Sequence, residues 1–198
     1  MRLQTRHTPA FGVVRVVLSP GEAVQSTSEA RVASSYGITE NRQQRGKGAQ
    51  VVFTAPADGG WVDLAPGRPG DVYPLELDGR SGFSVAKNIV LARPATVRPD
   101  RPWPALQSLF GGDTGFLEHY SGSGSLVLAT DGPVDSLSLE AGEVITVNPA
   151  FLVAYPDAVQ CRLRAVDPAG PQSVRTGEGL ALDFAGPGTV LVQARARS

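Results

Sequence analysis

The chain is poor in the residues that most catalytic and metal-binding sites are built from: it has 198 residues with one cysteine, two histidines and two lysines. Each shortage removes a class of function. The lone Cys161 cannot close an internal disulfide or a multi-cysteine metal site, a usage that suits a reducing compartment. It lies in an alternating run and reads as a small packed side chain. Iron, manganese or zinc held between strands generally needs two or three imidazoles and a carboxylate, and only His7 and His119 are present. His119 follows Glu118, whose side chain on a strand points to the opposite face, so His119 is expected to be an ordinary strand residue. Two scattered histidines also give a serine nucleophile little choice of base. Neither Ser81 in "GRSGF" nor Ser123 in "SGSGS" completes Gly-x-Ser-x-Gly. No cofactor and no enzymatic activity are expected.

Long apolar runs and charge of one sign are scarce too. No segment approaches the ~20 apolar residues that span a bilayer, and the net charge of -1 selects neither a polyanion nor a membrane as partner. In "MRLQTRHTPAFGVVRVVL" Arg15 interrupts the apolar run and no small-residue cleavage site follows, so a secretory signal is not expected and the chain is placed in the cytoplasm. Phosphate loops are missing as well. "SGSGS" at 121–125 lacks the lysine of a P-loop, and the only Gly-Lys pair, Gly46-Lys47, has no glycine five residues before it.

What the chain has in quantity is punctuation. Its 23 glycines and 16 prolines are spread along the whole length, which leaves little room for long helices. Between them lie period-two segments: "VVRVVL" at 13–18, "QVVFT" at 50–54, "DSLSLE" at 135–140, "EVITV" at 143–147 and "LALDF" at 180–184. Such segments bounded by Gly and Pro are strands, and the fold class is all-β. A chain of this size can bury roughly 70% of its unfolded surface without staples.

The segments also repeat. Laying 16–33 on 137–154 matches Leu18 with Leu139, Gly21 with Gly142, Glu22 with Glu143, Val32 with Val153 and Ala33 with Ala154. A middle copy begins near Gly70 and Asp71 and closes on Leu91 and Ala92. Residues 115–128 lie on 179–192, placing Gly122 on Gly186, Gly124 on Gly188 and Tyr120 on Phe184, with Phe53 in the same aromatic place of a looser first copy. The expectation is a single domain over 1–198 with three internal repeats at about 13–64, 65–130 and 135–195, pseudo-threefold and β-helix-like or barrel-like. Gly21, Gly70 and Gly142 are read as turn glycines, and Gly122, Gly124, Gly186 and Gly188 as a repeated strand connection. Glu22, Asp71 and Glu143 follow the first set and are read as solvated residues that open strands.

"LSPGEAV", "GRPGDVYPLELDG" leading to "NIVLA", "LEAGEVITVNPAFLVAY" and above all "TGEGLALDFAGPGTVLVQAR" resemble the bacterial relatives of the yeast mitochondrial biogenesis protein altered inheritance of mitochondria twenty-four. The resemblance implies an all-β fold of three repeats similar to the subunit of the tryptophan RNA-binding attenuation protein. It also implies a non-catalytic scaffold or interaction protein, and a link to membrane organisation through the mitochondrial member. The expected partner is the protein itself, as a homo-oligomer, with an unidentified protein or a membrane surface as a further candidate. RNA or another polyanion is the alternative ligand, and a metal-dependent β-helix enzyme a remote one. The candidate interaction surface comprises Arg42, Arg45 and Lys47 in one loop, and Arg93, Arg98, Arg101 and Trp103 in the proline-rich segment 92–110.

Overall fold

The computed structural model describes residues 1–27, 29–42, 50–113, 115–166 and 172–197. The chain is mostly β. Its strands are β1 (Arg2–Arg6), β2 (Val13–Leu18), β3 (Ala23–Thr27), β4 (Arg31–Ser34), β5 (Thr39–Arg42), β6 (Gln50–Thr54), β7 (Gly60–Leu64), β8 (Asp71–Asp78) and β9 (Phe83–Ala86). They continue with β10 (Val90–Pro94), β11 (Val97–Asp100), β12 (Leu117–Thr130), β13 (Val134–Leu139), β14 (Val144–Val147), β15 (Leu152–Pro156), β16 (Gln160–Ala165), β17 (Leu180–Ala185) and β18 (Gly188–Gln193). Among the described residues helix is confined to α1 (Pro104–Leu109), a 3-10 turn at Pro149–Phe151 and α2 (Ser173–Thr176). Among the described residues no helix is long and apolar enough to cross a membrane.

The chain divides into two compact units. Unit 1 comprises Met1–Leu77, Ile89–Arg98 and Ser123–Pro133; unit 2 comprises Asp78–Asn88, Pro99–Gly122 and Val134–Ser198. The division does not follow the three sequence segments, because the middle one supplies strands to both units. In unit 1 the strand order is β1-β2-β7-β4 in one run and β10-β3-β6-β5 in another. In unit 2 the runs are β13-β18-β15-β9 and β14-β17-β16. β12 pairs with β9 through Leu117–Tyr120 and with β10 through Val127 and Leu128. All these runs are open, so the barrel-like closure expected above is not what forms: β4 and β14 remain terminal strands.

Period-two alternation builds the core. In β2 the side chains of Val14, Val16 and Leu18 are buried while Val13, Arg15 and Val17 are half-buried on the other face. They pack in unit 1 with Val24, Val51, Phe53, Val62 and Leu64. Unit 2 buries Leu152, Leu182, Phe184 and Val190 completely. Some of the pairings carry a bulge, which lets one strand bend over its neighbour. The bulge lies between Arg31 and Ala33 opposite Leu64 and Asp63, between Val90 and Ala92 opposite Leu128 and Val127, and between Leu152 and Ala154 opposite Val192 and Leu191.

The glycines take varied roles. Gly21 and Gly142 have φ of 69° and 85°, the left-handed geometry that turns before β3 and β14 require. Gly70 is different: it bridges Phe11, and a Cβ there would stand 2.2 Å from the Thr130 carbonyl oxygen, so the backbone approach needs its bareness. Gly186, with Pro187, joins β17 to β18, which opens on Gly188, whereas Gly122 and Gly124 lie inside the continuous β12. The expected connection is therefore a turn in one copy and an uninterrupted strand in the other, because φ of 118° and 129° absorbs the bend without ending the ladder. Of the three strand-opening acids, Glu143 is exposed and accepts the Glu140 backbone N–H at 2.9 Å, and Glu22 accepts that of Ser19 at 2.8 Å. Asp71 is not solvated; it is buried, accepts the Val72 N–H, and burial raises its pKa.

Arg15, the residue that breaks the first apolar run, lies 3.8 Å over the Trp61 ring and bonds both oxygens of the buried Asp63 at 2.8 and 2.9 Å. Arg6 adds a third bond at 2.9 Å. The Arg15 bond, with that of Arg6, holds the Asp63 carboxyl below its ordinary value. In unit 2, Arg164 and then Thr146 lower Asp183 to about 2. A depressed carboxyl stabilises the fold fully above its unfolded pKa of about 3.9 and loses that contribution as pH falls. Urea midpoints should therefore drop between pH 5 and pH 2 more steeply in the native chain than in Asp183→Asn, and an equal slope in both would refute the assignment.

Candidate functional site

In unit 2 the end of β11, α1 and the start of β12 surround a cavity of about 520 Å³. Pro104 starts α1 at a position where its missing N–H costs nothing, and the turn before it carries Asp100, Arg101 and Trp103. Apolar wall comes from Leu106 and Leu117, polar wall from Lys87, Gln107, Asp113 and Glu118.

His119 is the centre of this site. It is 1% exposed, with Nδ1 3.0 Å from Asp100 Oδ2 and Nε2 2.9 Å from Asp157 Oδ1. Trp103 stacks on the imidazole with ring centroids 3.7 Å apart and planes 4° from parallel. Carboxylate oxygens on both nitrogens are satisfied together when the ring carries both N–H protons. Asp157 is itself oriented by the Gly82 N–H, 2.9 Å from Oδ2. A Cβ at Gly82 would lie 2.4 Å from the imidazole, so this glycine makes room for His119.

The remaining charges are tied in the same manner. Glu118 pairs with Arg101 and accepts the Tyr120 hydroxyl at 2.9 Å. Lys87 donates to the Gly115 carbonyl, and burial lowers the pKa of its amine. Arg175 reaches Asp113 at 3.5 Å.

Of the candidate interaction residues, Arg101 and Trp103 meet at this cavity. Arg42 ends β5 and pairs with Glu40 at 2.8 Å, while Arg45 and Lys47 lie outside the described residues. Arg93 and Arg98 belong to unit 1, in β10 and β11, and Arg93 donates to the Val97 carbonyl. The proline-rich segment is strand and helix, since Pro94 closes a strand and Pro104 opens a helix. His119 is buried and bonded on both sides, and Glu118 takes a different set of partners. Asp100, Asp157, Lys87 and Gly82 were not singled out from sequence. "DRPW" at 100–103 holds one local clue, an acid and an indole three residues apart; Asp157 has none, being 38 residues from His119.

Cys161 faces Phe184 across β16 and β17. Burial first, with neighbouring Asp183, pushes its thiol up to about 12, so little thiolate exists at neutral pH. Ellman's reagent should label the folded chain far more slowly than the urea-unfolded chain at pH 8, and equal rates would contradict this environment.

Known proteins are similar to this chain in sequence and in fold. An uncharacterised protein of Streptococcus pyogenes serotype M6 is 25% identical over 214 residues, covering 98% of this chain and 85% of its own. The crystal structure of a Streptococcus pyogenes protein shares the fold with a TM-score of 0.76 at 22% identity, covering 98% of this chain and 94% of that one. The profile of the family described as mitochondrial biogenesis AIM24 matches residues 3–195. With nearly its whole length inside that profile, the chain belongs to the mitochondrial biogenesis AIM24 family.

Proposed function

We propose that this member of the family is a non-catalytic, self-associating interaction protein, built from three copies of one β unit in the manner of the tryptophan RNA-binding attenuation protein subunit. The observation that carries the non-catalytic reading is the state of His119. Both its nitrogens are engaged by carboxylates and one ring face is covered by Trp103, so no ring nitrogen is poised to take a proton from a substrate. The same bonds make the wall of the cavity a rigid surface, which favours contact over turnover.

Support for the threefold reading comes from strand pairing. β2, β7 and β4 pair as β13, β18 and β15 do, and β3, β6 and β5 pair as β14, β17 and β16 do. The bulged positions Ala33, Ala92 and Ala154 are the same alanine of the sequence repeat, and Phe53, Tyr120 and Phe184 oppose Val24, Phe83 and Ile145. A membrane surface remains a site of action only through the family's mitochondrial member. The polyanion alternative is not favoured, since Arg42 and Arg101 are each engaged by a carboxylate of their own unit.

One preparation of the untagged chain tests the proposal. Light scattering should give a multiple of 20.7 kDa, with substoichiometric metal and a protein-like ultraviolet spectrum. A metal-loaded monomer, or carried nucleic acid released steeply by salt, would overturn it.

A further inference from the structure

Two strands that end their runs, β4 and β14, are the places where the repeated pairing is left incomplete. Within unit 1, β10 pairs antiparallel with β3, setting Ala92 opposite Ser26, Arg93 opposite Gln25 and Pro94 opposite Val24. Within unit 2, β15 pairs antiparallel with β9, setting Ala154 opposite Val85, Tyr155 opposite Ser84 and Pro156 opposite Phe83. In the repeat alignment these are one pairing made twice, by the third strand of one copy with the second strand of the copy before it. The third strand of the first copy is β4 and the second strand of the last copy is β14. Neither has a partner on its outer edge among the described residues.

Exposure follows the missing partner. The position after the bulge's first residue is Leu91 in β10 and Val153 in β15, 5% and 0% exposed, but Val32 in β4, 61% exposed. Ala92 and Ala154 are 1% and 0% exposed, while Ala33 is exposed. On β14 the side chain of Val144 is 62% exposed. A terminal strand with bare N–H and C=O groups and apolar side chains is a template for another chain, and the occupant whose register fits is a second copy of this one.

We propose that β4 of one copy pairs antiparallel with β14 of the next, opposing Ala33 to Val147, Ser34 to Thr146 and Ser35 to Ile145. The proposal rests on the threefold, self-associating reading above and gives that association its surface. Because the two edges differ, the contact is head-to-tail, and repetition closes a ring or extends a filament.

Directed cross-linking of the full chain tests it, with Cys161 replaced by serine throughout. Ser34→Cys and Thr146→Cys are made singly and together; opposed strand residues lie within the 4.4–6.8 Å Cα separation a disulfide needs. Expected are a ladder of covalent multimers from the double variant, dimers from an equimolar mixture of the single variants, and no cross-link from either single variant alone. In parallel, Val32→Lys and Val144→Lys, at exposed positions that the fold does not need, should each reduce the light-scattering mass to 20.7 kDa with an unchanged circular-dichroism spectrum. Dimers from Ser34→Cys alone, or a disulfide formed only within one chain, would overturn the head-to-tail contact. An oligomer that survives both lysine variants and does not cross-link would refute this surface while leaving self-association standing. A native chain that is monomeric throughout refutes both.

Discussion

Replacing His119 by alanine should cost about 3–5 kcal/mol, because it removes two hydrogen bonds to carboxylates, each worth about 1.5–3 kcal/mol. The substitution leaves Asp100 and Asp157 facing each other's field across an empty site and strips Trp103 of its stacking partner. The bonds at 3.0 and 2.9 Å are both lost. Asp157→Asn removes one charge and should cost less, since the amide oxygen can still accept from the ring. Trp103→Ala should fall between, because it uncovers the ring without breaking either bond. The ranking is read from urea unfolding at neutral pH. A His119→Ala loss below that of Asp157→Asn would show that the imidazole does not hold the site together.

Phe184→Ala should cost a similar ~3–5 kcal/mol, by the lost transfer energy and the cavity left behind. Phe184 is 0% exposed, sits in β17 between Ile145 of β14 and Cys161 of β16, and meets Tyr155 edge-on with ring centroids 4.9 Å apart. Against a total of about 5–15 kcal/mol this is enough to leave the chain marginal. Phe184→Leu keeps most of the volume and should cost under about 1.5 kcal/mol. Phe11→Ala is the contrast, because Phe11 is 68% exposed and such surface changes stay within about 0.5 kcal/mol. Thermal unfolding should order the three variants in that sense, and a Phe11→Ala loss equal to that of Phe184→Ala would mean that aromatic content, rather than burial, sets the effect.

The strands were legible because a half-buried strand writes its two faces into alternate residues. "VVRVVL", "QVVFT", "EVITV" and "LALDF" are found where they were expected, within a residue or two. Ala33, Ala92 and Ala154 at the bulges, and Phe53, Tyr120 and Phe184, were also visible as matching letters between segments. Asp71 misled, because an acid after a turn glycine is usually solvated, and its burial depends on strands brought in from elsewhere. The strands and helix of the proline-rich segment were not legible either. Proline disfavours only the interior of a helix or central strand, and 92–110 uses its prolines at element ends and at an edge.

By itself, the sequence determined the strand pattern, the turn glycines before β3 and β14 and the family, all properties of residues near one another or of matching motifs. Only the tertiary structure decided that His119 is a buried link between Asp100 and Asp157, that Trp103 covers it and that, among the described residues, β4 and β14 end their runs. These depend on residues up to 38 positions apart and on which strand happens to lie last in its run. Short-range periodicity carries no record of either, because the free energy of a long-range contact belongs to the pair and leaves no mark on one partner alone.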